Sequence, residues 1–146
     1  EAFVKKEFDW IRLSIRNIVK IWCLIPVMLV LMLLLSQWFY SFWVGDKVNV
    51  PFELSLSMAL FVLVYTFNLI FVFFINGVGK IKLQLIISIV SMIINIPLSI
   101  FFAKYLNLGL SGVILASFVS IAASAVLSPL QYYKIINSKA KGIWNM

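Results

Sequence analysis

Four long apolar runs dominate the chain, at residues 21–45, 54–79, 83–103 and 105–133. Each meets the roughly 20 residues that a helix needs to cross a bilayer. A charge at the centre of a span costs roughly 2.5–3.5 kcal/mol on insertion scales. These four runs contain no Asp, Glu, Lys or Arg. The expected fold class is an all-α membrane protein, a polytopic transmembrane helix bundle of four spans plus an N-terminal amphipathic helix.

Residues 1–20 have a different pattern. Val4, Phe8, Ile11, Ile15 and Ile18 recur at helical spacing, while Lys5, Asp9, Arg12, Arg16 and Lys20 take another face. A basic amphipathic helix suits a membrane surface. The same pattern also suits a helix packed on a larger bundle, or one that continues into the first span. The organisation expected is a cytoplasmic basic segment over 1–20, a transmembrane region over 21–134, and a cytoplasmic basic tail over 135–146.

Composition and charge sharpen this picture. The chain is 64% hydrophobic and 12% charged, against about 25% charged in a soluble domain. The net charge is +7, but its distribution points to topology and not to nucleic acid. Lys5, Lys6, Arg12, Arg16, Lys20, Lys80, Lys82, Lys134, Lys139 and Lys141 fall on one side of the four spans, and only Lys47 and Lys104 on the other. The basic side is expected to be cytoplasmic, which places both ends there. Trp38, Phe39, Tyr40, Phe42 and Trp43 form an aromatic belt at the outer end of the first span, and Trp22 is expected to anchor its inner end. The outer loop "GDKVNVP" leads to Pro51, just before the second span.

Two helix faces carry polar or small residues. In the third span Gln84, Ser88, Ser91, Asn95 and Ser99 follow at steps of four, three, four and four, so all five share one face. Such a stripe avoids lipid. It either hydrogen-bonds neighbouring helices or lines a hydrated cavity. Pro97 removes a backbone donor nearby and is expected to bend the helix. The fourth span has Gly112, Ala116, Ser120, Ser124 and Ser128 at steps of four, a seam for close helix packing or sliding. The second span is bulky and aromatic, and much of it is expected to face lipid. Its Asn68 fits an interhelical hydrogen bond.

The stretch "NGVGKIKLQ" at 76–84 raises a nucleotide-binding alternative. A phosphate-binding loop needs G-x-x-x-x-G-K-[ST] after a strand. Here Phe74 and Ile81 break that pattern, and a span precedes it. Asn76, Gly77 and Gly79 read as a tight turn instead. Lys80 and Lys82 then either contact lipid phosphates or only set topology. The chain has one cysteine, Cys23, and no histidine. No intrachain disulfide or Cys/His metal site is possible, and Cys23 is expected to pack as a small apolar residue. No catalytic constellation is visible, so neither enzyme activity nor a cofactor is expected. The start at Glu1, without a leader pattern, suggests part of a longer chain.

The run "FINGVGKIKLQLIISIVSMIINIPLSIFFAKYLNLGLSGVILASFVS" resembles the C-terminal part of bacterial polysaccharide biosynthesis membrane proteins, a resemblance that runs from about Phe71 to Ser120 and more loosely over the whole chain. These are O-antigen-type flippases of the multidrug/oligosaccharidyl-lipid/polysaccharide exporter superfamily. The matching features are Asn76-Gly77 with Gly79-Lys80, Gln84, "NIPLS" at 95–99, Gly109, and "SGV" at 111–113. The resemblance implies the last four of about twelve helices, in a transporter moving undecaprenyl-pyrophosphate-linked oligosaccharide to the outer leaflet by alternating access. Implied partners are membrane lipids, the lipid-linked oligosaccharide, the remaining helices of a longer chain, and a polysaccharide polymerase with its chain-length machinery. The implied location is the bacterial inner membrane. Two alternatives stand beside it: a drug/cation exporter of the same superfamily, and a small four-helix scaffold subunit.

Overall fold

A computed structural model describes residues 1–43, 45 and 50–146. All regular structure among them is helical: α1 (Phe8–Trp22), α2 (Leu24–Trp43), α3 (Phe52–Val78), α4 (Lys82–Ile100), a π-helical turn (Phe101–Tyr105), α5 (Gly109–Ile136) and a 3-10 turn (Gly142–Asn145). Four apolar helical stretches are long enough to cross a membrane: Phe8–Trp43, Phe52–Val78, Lys82–Tyr105 and Gly109–Ile136. The protein is thus an all-α, multi-pass helix bundle. Lys47 and most of the loop "GDKVNVP" lie outside the described residues.

The amphipathic segment is not separate from the first span. Cys23 alone divides α1 from α2, and it keeps near-helical angles, φ −59° and ψ −14°. Pro26 explains the interruption, because it has no N–H for the Trp22 carbonyl and its ring crowds that position. The sequence left three placements open for this segment; the structure packs it on α3 and runs it into α2. Trp22 donates from Nε1 to Thr66 Oγ1 at 3.0 Å, and its ring lies 5.1 Å from Phe67. Thr66 is near the middle of α3, so Trp22 does not mark the end of the bundle. Cys23 is exposed on the chain and does not pack internally.

The central helix is α3. It runs antiparallel to α1 and α2 and parallel to α5. Asn68 meets Ser124 at 3.2 Å, and Phe71 and Phe74 meet the Tyr132 ring at 5.5 and 5.0 Å. Ser55, Ser57, Asn68, Phe71 and Ile75 are buried. One face of the helix is thus packed, with Phe67, Phe71 and Phe74 in contact with rings of α1 and α5, while Phe52, Leu56, Met58 and Phe73 stay exposed, as expected for a helix that also faces lipid. Such ring pairs contribute about 0.5–1.5 kcal/mol beyond their buried area.

The turns follow local chemistry. Pro51 precedes α3 with extended angles, φ −60° and ψ 138°. The helix ends at Gly79, φ 74°, with Gly79 N–H bonded to the Asn76 carbonyl at 3.1 Å and Lys80 N–H to the Ile75 carbonyl at 3.3 Å. This is the paired helix-ending arrangement that favours glycine at the left-handed position. Gly77 stays within the helix, so Gly79 alone makes the turn. Pro97 is carried inside α4, and the widened π turn follows one turn later.

Candidate functional site

Helices α3, α4 and α5 enclose an open groove of about 380 Å³. The α4 stripe forms one wall through Gln84, Ser88, Ser91 and Asn95. Helix α5 contributes Ser117, Ser120 and Ser124, and α3 contributes Asn68, Phe61 and Tyr65. The helical period brings these together: the polar face of α4 and the small-residue face of α5 look at one another. Each face is unfavourable toward lipid, so pairing them satisfies both.

Part of the polar surface ties the helices together. Ser91 Oγ donates to the Ser120 carbonyl at 2.8 Å. Asn95 Nδ2 reaches Ser117 Oγ at 3.3 Å and Ser120 Oγ at 3.2 Å. Ser124 Oγ donates to Asn68 Oδ1 at 3.2 Å. Interhelical bonds of this kind average about 0.6 kcal/mol in membranes, with a maximum of about 1.7. Another part is unspent. The Gln84 Oε1 atom is buried without a hydrogen-bond partner, and Ser88 lines the groove beside it. The two roles open for the stripe thus divide along its length. Ser91 and Asn95 join helices and Ser88 is exposed along the groove, while the Gln84 oxygen is shielded within the packing. Ser99 does not line it, and instead donates to Asn95 Oδ1 at 3.4 Å.

The small-residue seam performs its packing role at several contacts. Gly112 faces the π turn so closely that an added Cβ would lie 2.7 Å from Ala103 N and Phe102 C. Ala116 is fully enclosed and Ser128 nearly so. The turn lysines are engaged by the chain's own tail. Lys80 Nζ contacts Asn145 Oδ1 and lies 5.2 Å from the Phe3 ring. Lys82 N–H bonds the Met146 carbonyl at 3.1 Å. Neither contact involves the groove.

Sequence reasoning did not single out Gln131. Its side chain is 1% exposed, and Nε2 donates to the carbonyls of Lys80 at 2.9 Å and Trp144 at 3.3 Å. It joins α5, the α3–α4 turn and the tail. Its isolation among apolar residues in "PLQYY" was the available signal. Ser117 and Tyr65 were also missed, because neither belongs to a regular stripe.

The arrangement supplies neutral donors and acceptors with two aromatic faces. It has no Asp, Glu, Lys or Arg among its lining residues, and no group of His, Cys, Asp or Glu suited to a metal occurs among the described residues. The fold and the groove define a multi-pass helical membrane protein with an uncharged recess of mixed polar and apolar lining between three spans. Family models, curated proteins and solved structures provide no match to the chain.

Proposed function

We propose that this chain supplies C-terminal helices of a transporter that flips undecaprenyl-pyrophosphate-linked oligosaccharide across the bacterial cytoplasmic membrane, with the basic ends of its spans facing the cytoplasm. The supporting observation is the uncharged groove within the bundle, where Ser88, Asn95, Ser117 and Ser124 share the lining with Leu69, Val72, Ile87 and Met92. Sugar hydroxyls donate and accept equally, and they match Ser and amide groups without needing a counter-charge. The Phe61 and Tyr65 rings add apolar surface for sugar C–H faces. In this reading the groove forms part of the wall along which the saccharide passes, and the rest of the path belongs to other helices. A drug or cation exporter would need a carboxylate to neutralise its cargo, and this groove has none; the cations that a pyrophosphate needs are likewise outside the groove, and this reading assigns them to other helices.

The test uses single cysteines at Ser88, Ser91 and Asn95 in a Cys23→Ser background, probed with a water-soluble maleimide in native membranes. Labelling at Ser88 and its suppression by lipid-linked oligosaccharide are expected. In the host, Ser88→Leu should cause the lipid-linked precursor to accumulate on the inner leaflet. Complete protection at all three positions without oligosaccharide, together with normal surface polysaccharide, would leave only a packing role for the stripe.

A further inference from the structure

The basic face of α1 reaches deeper into the bundle than a surface helix would. Arg12 Nη2 donates to Asn137 Oδ1 at 3.1 Å, which sets Arg12 level with the end of α5. Ten residues later, Trp22 meets Thr66. Thr66 precedes the α3 terminus at Val78 by twelve residues, or about 18 Å at 1.5 Å per residue. Lys20 therefore lies about 15 Å, and Arg16 about 9 Å, inside the basic end of α3. Helix α3 is about 40 Å long, against a hydrocarbon core of about 30 Å. Even with about 5 Å projecting at each end, the Lys20 and Arg16 backbones stand within the apolar layer.

Their side chains are aimed back out of it. Cα–Cβ bonds tilt toward a helix N-terminus, and the N-terminus of α1 is at the basic end. Arg12, Arg16 and Lys20 follow at steps of four and so share one face of α1, with Arg16 and Lys20 leaning toward Arg12. Arg12 shares its charge with Asp9 at 2.8 Å. Arg16 and Lys20 have no ion-pair partner among the described residues. Beside this ridge the same helix exposes Trp10, Leu13 and Ile21, at 61%, 58% and 67%. An unneutralised cation pair set against exposed apolar surface calls for a ligand that is anionic at one end and hydrocarbon at the other.

We propose that Arg12, Arg16 and Lys20 bind the phosphate of an anionic membrane phospholipid, whose acyl chains lie along Trp10, Leu13 and Ile21. The site is separate from the groove between α3, α4 and α5 and does not depend on the oligosaccharide reading. The bound lipid supplies the counter-charge that lets α1 enter the membrane as part of the first span.

Native mass spectrometry of the 146-residue chain in neutral detergent, titrated with phosphatidylglycerol or phosphatidylcholine, tests this. Phosphatidylglycerol should be retained preferentially. The Arg16→Gln/Lys20→Gln double variant should bind it about 25-fold more weakly, at about fivefold per cation. Lys139→Gln/Lys141→Gln removes equal charge from the tail and should leave affinity unchanged. Three results would overturn the proposal: equal retention of both lipids, equal losses in the two double variants, or full displacement of phosphatidylglycerol by millimolar inorganic phosphate. The first two would mean non-specific binding, and the third a site for free phosphate.

Discussion

Replacing Gly112 with alanine isolates a close backbone approach between α5 and the π turn. The new Cβ would sit 2.7 Å from Ala103 N and Phe102 C and 2.8 Å from Phe102 O. Ordinary carbon contacts begin near 3.5 Å, so α5 and the π turn must separate by about 0.8 Å. All three crowded atoms are backbone, and no rotamer change relieves them. Overpacking of this kind costs about 1–3 kcal/mol. Alanine recovers up to about 1 kcal/mol of helix propensity, which leaves a net destabilisation of up to about 2 kcal/mol. Gly77→Ala is the matched control, because Gly77 is also helical but has nothing within 4 Å of its added Cβ. It should be neutral or stabilise by up to about 1 kcal/mol. Unfolding of both variants in mixed micelles by increasing SDS fraction reads the difference directly. If Gly112→Ala and Gly77→Ala move the midpoint equally in the same direction, the close contact between α5 and the π turn does not exist as described.

Other perturbations separate the remaining contacts. Gly79→Ala, at φ 74°, should cost about 1–2 kcal/mol in the same assay, since a Cβ is strained in the left-handed region. Gln131→Leu should destabilise by about 1–3 kcal/mol, because the Lys80 and Trp144 carbonyls lose their buried donor. Limited proteolysis should then cut the tail near Trp144 faster, and an unchanged cleavage rate would refute the clamp. Asn95→Leu should lower stability by about 0.6–1.7 kcal/mol through its bonds to Ser117 and Ser120; no change would mean that those bonds are replaced by water. Cys23, next to Trp22 at the level of Thr66, should react in intact membranes with a lipid-permeant maleimide and resist an impermeant one. Equal rates would show that α1 lies at the surface.

Much of the fold was legible without coordinates, because a bilayer imposes a simple test on the chain. Runs of twenty or more apolar residues have to form helices whose backbone groups bond internally, and the four spans followed from length alone. Periodicity also carried information within a single helix. It grouped Gln84, Ser88, Ser91 and Asn95 on one face, and it marked Gly112, Ala116, Ser120 and Ser124 as a close-packing surface. The glycine at position 79 signalled a helix end, since few other residues accept that backbone conformation.

Relations between helices were settled only by tertiary structure. Nothing in the α4 stripe alone says that it meets the α5 seam, or that Asn68 from α3 closes the groove beside Ser124. The aromatic content of α3 does not say which rings face lipid: Phe67, Phe71 and Phe74 pack on Trp22 and Tyr132 while Phe52 and Phe73 stay exposed, because apolar side chains suit lipid and protein neighbours alike. The depth of α1 was hidden for a related reason. Charged residues argue against burial when counted along the sequence, whereas their cost depends on where their side chains end. What places α1 against the bundle is Trp22 on Thr66 and Arg12 on Asn137, contacts between residues 44 and 125 positions apart. Composition and period determined the solvent and the faces of this protein; the three-dimensional packing decided which faces meet.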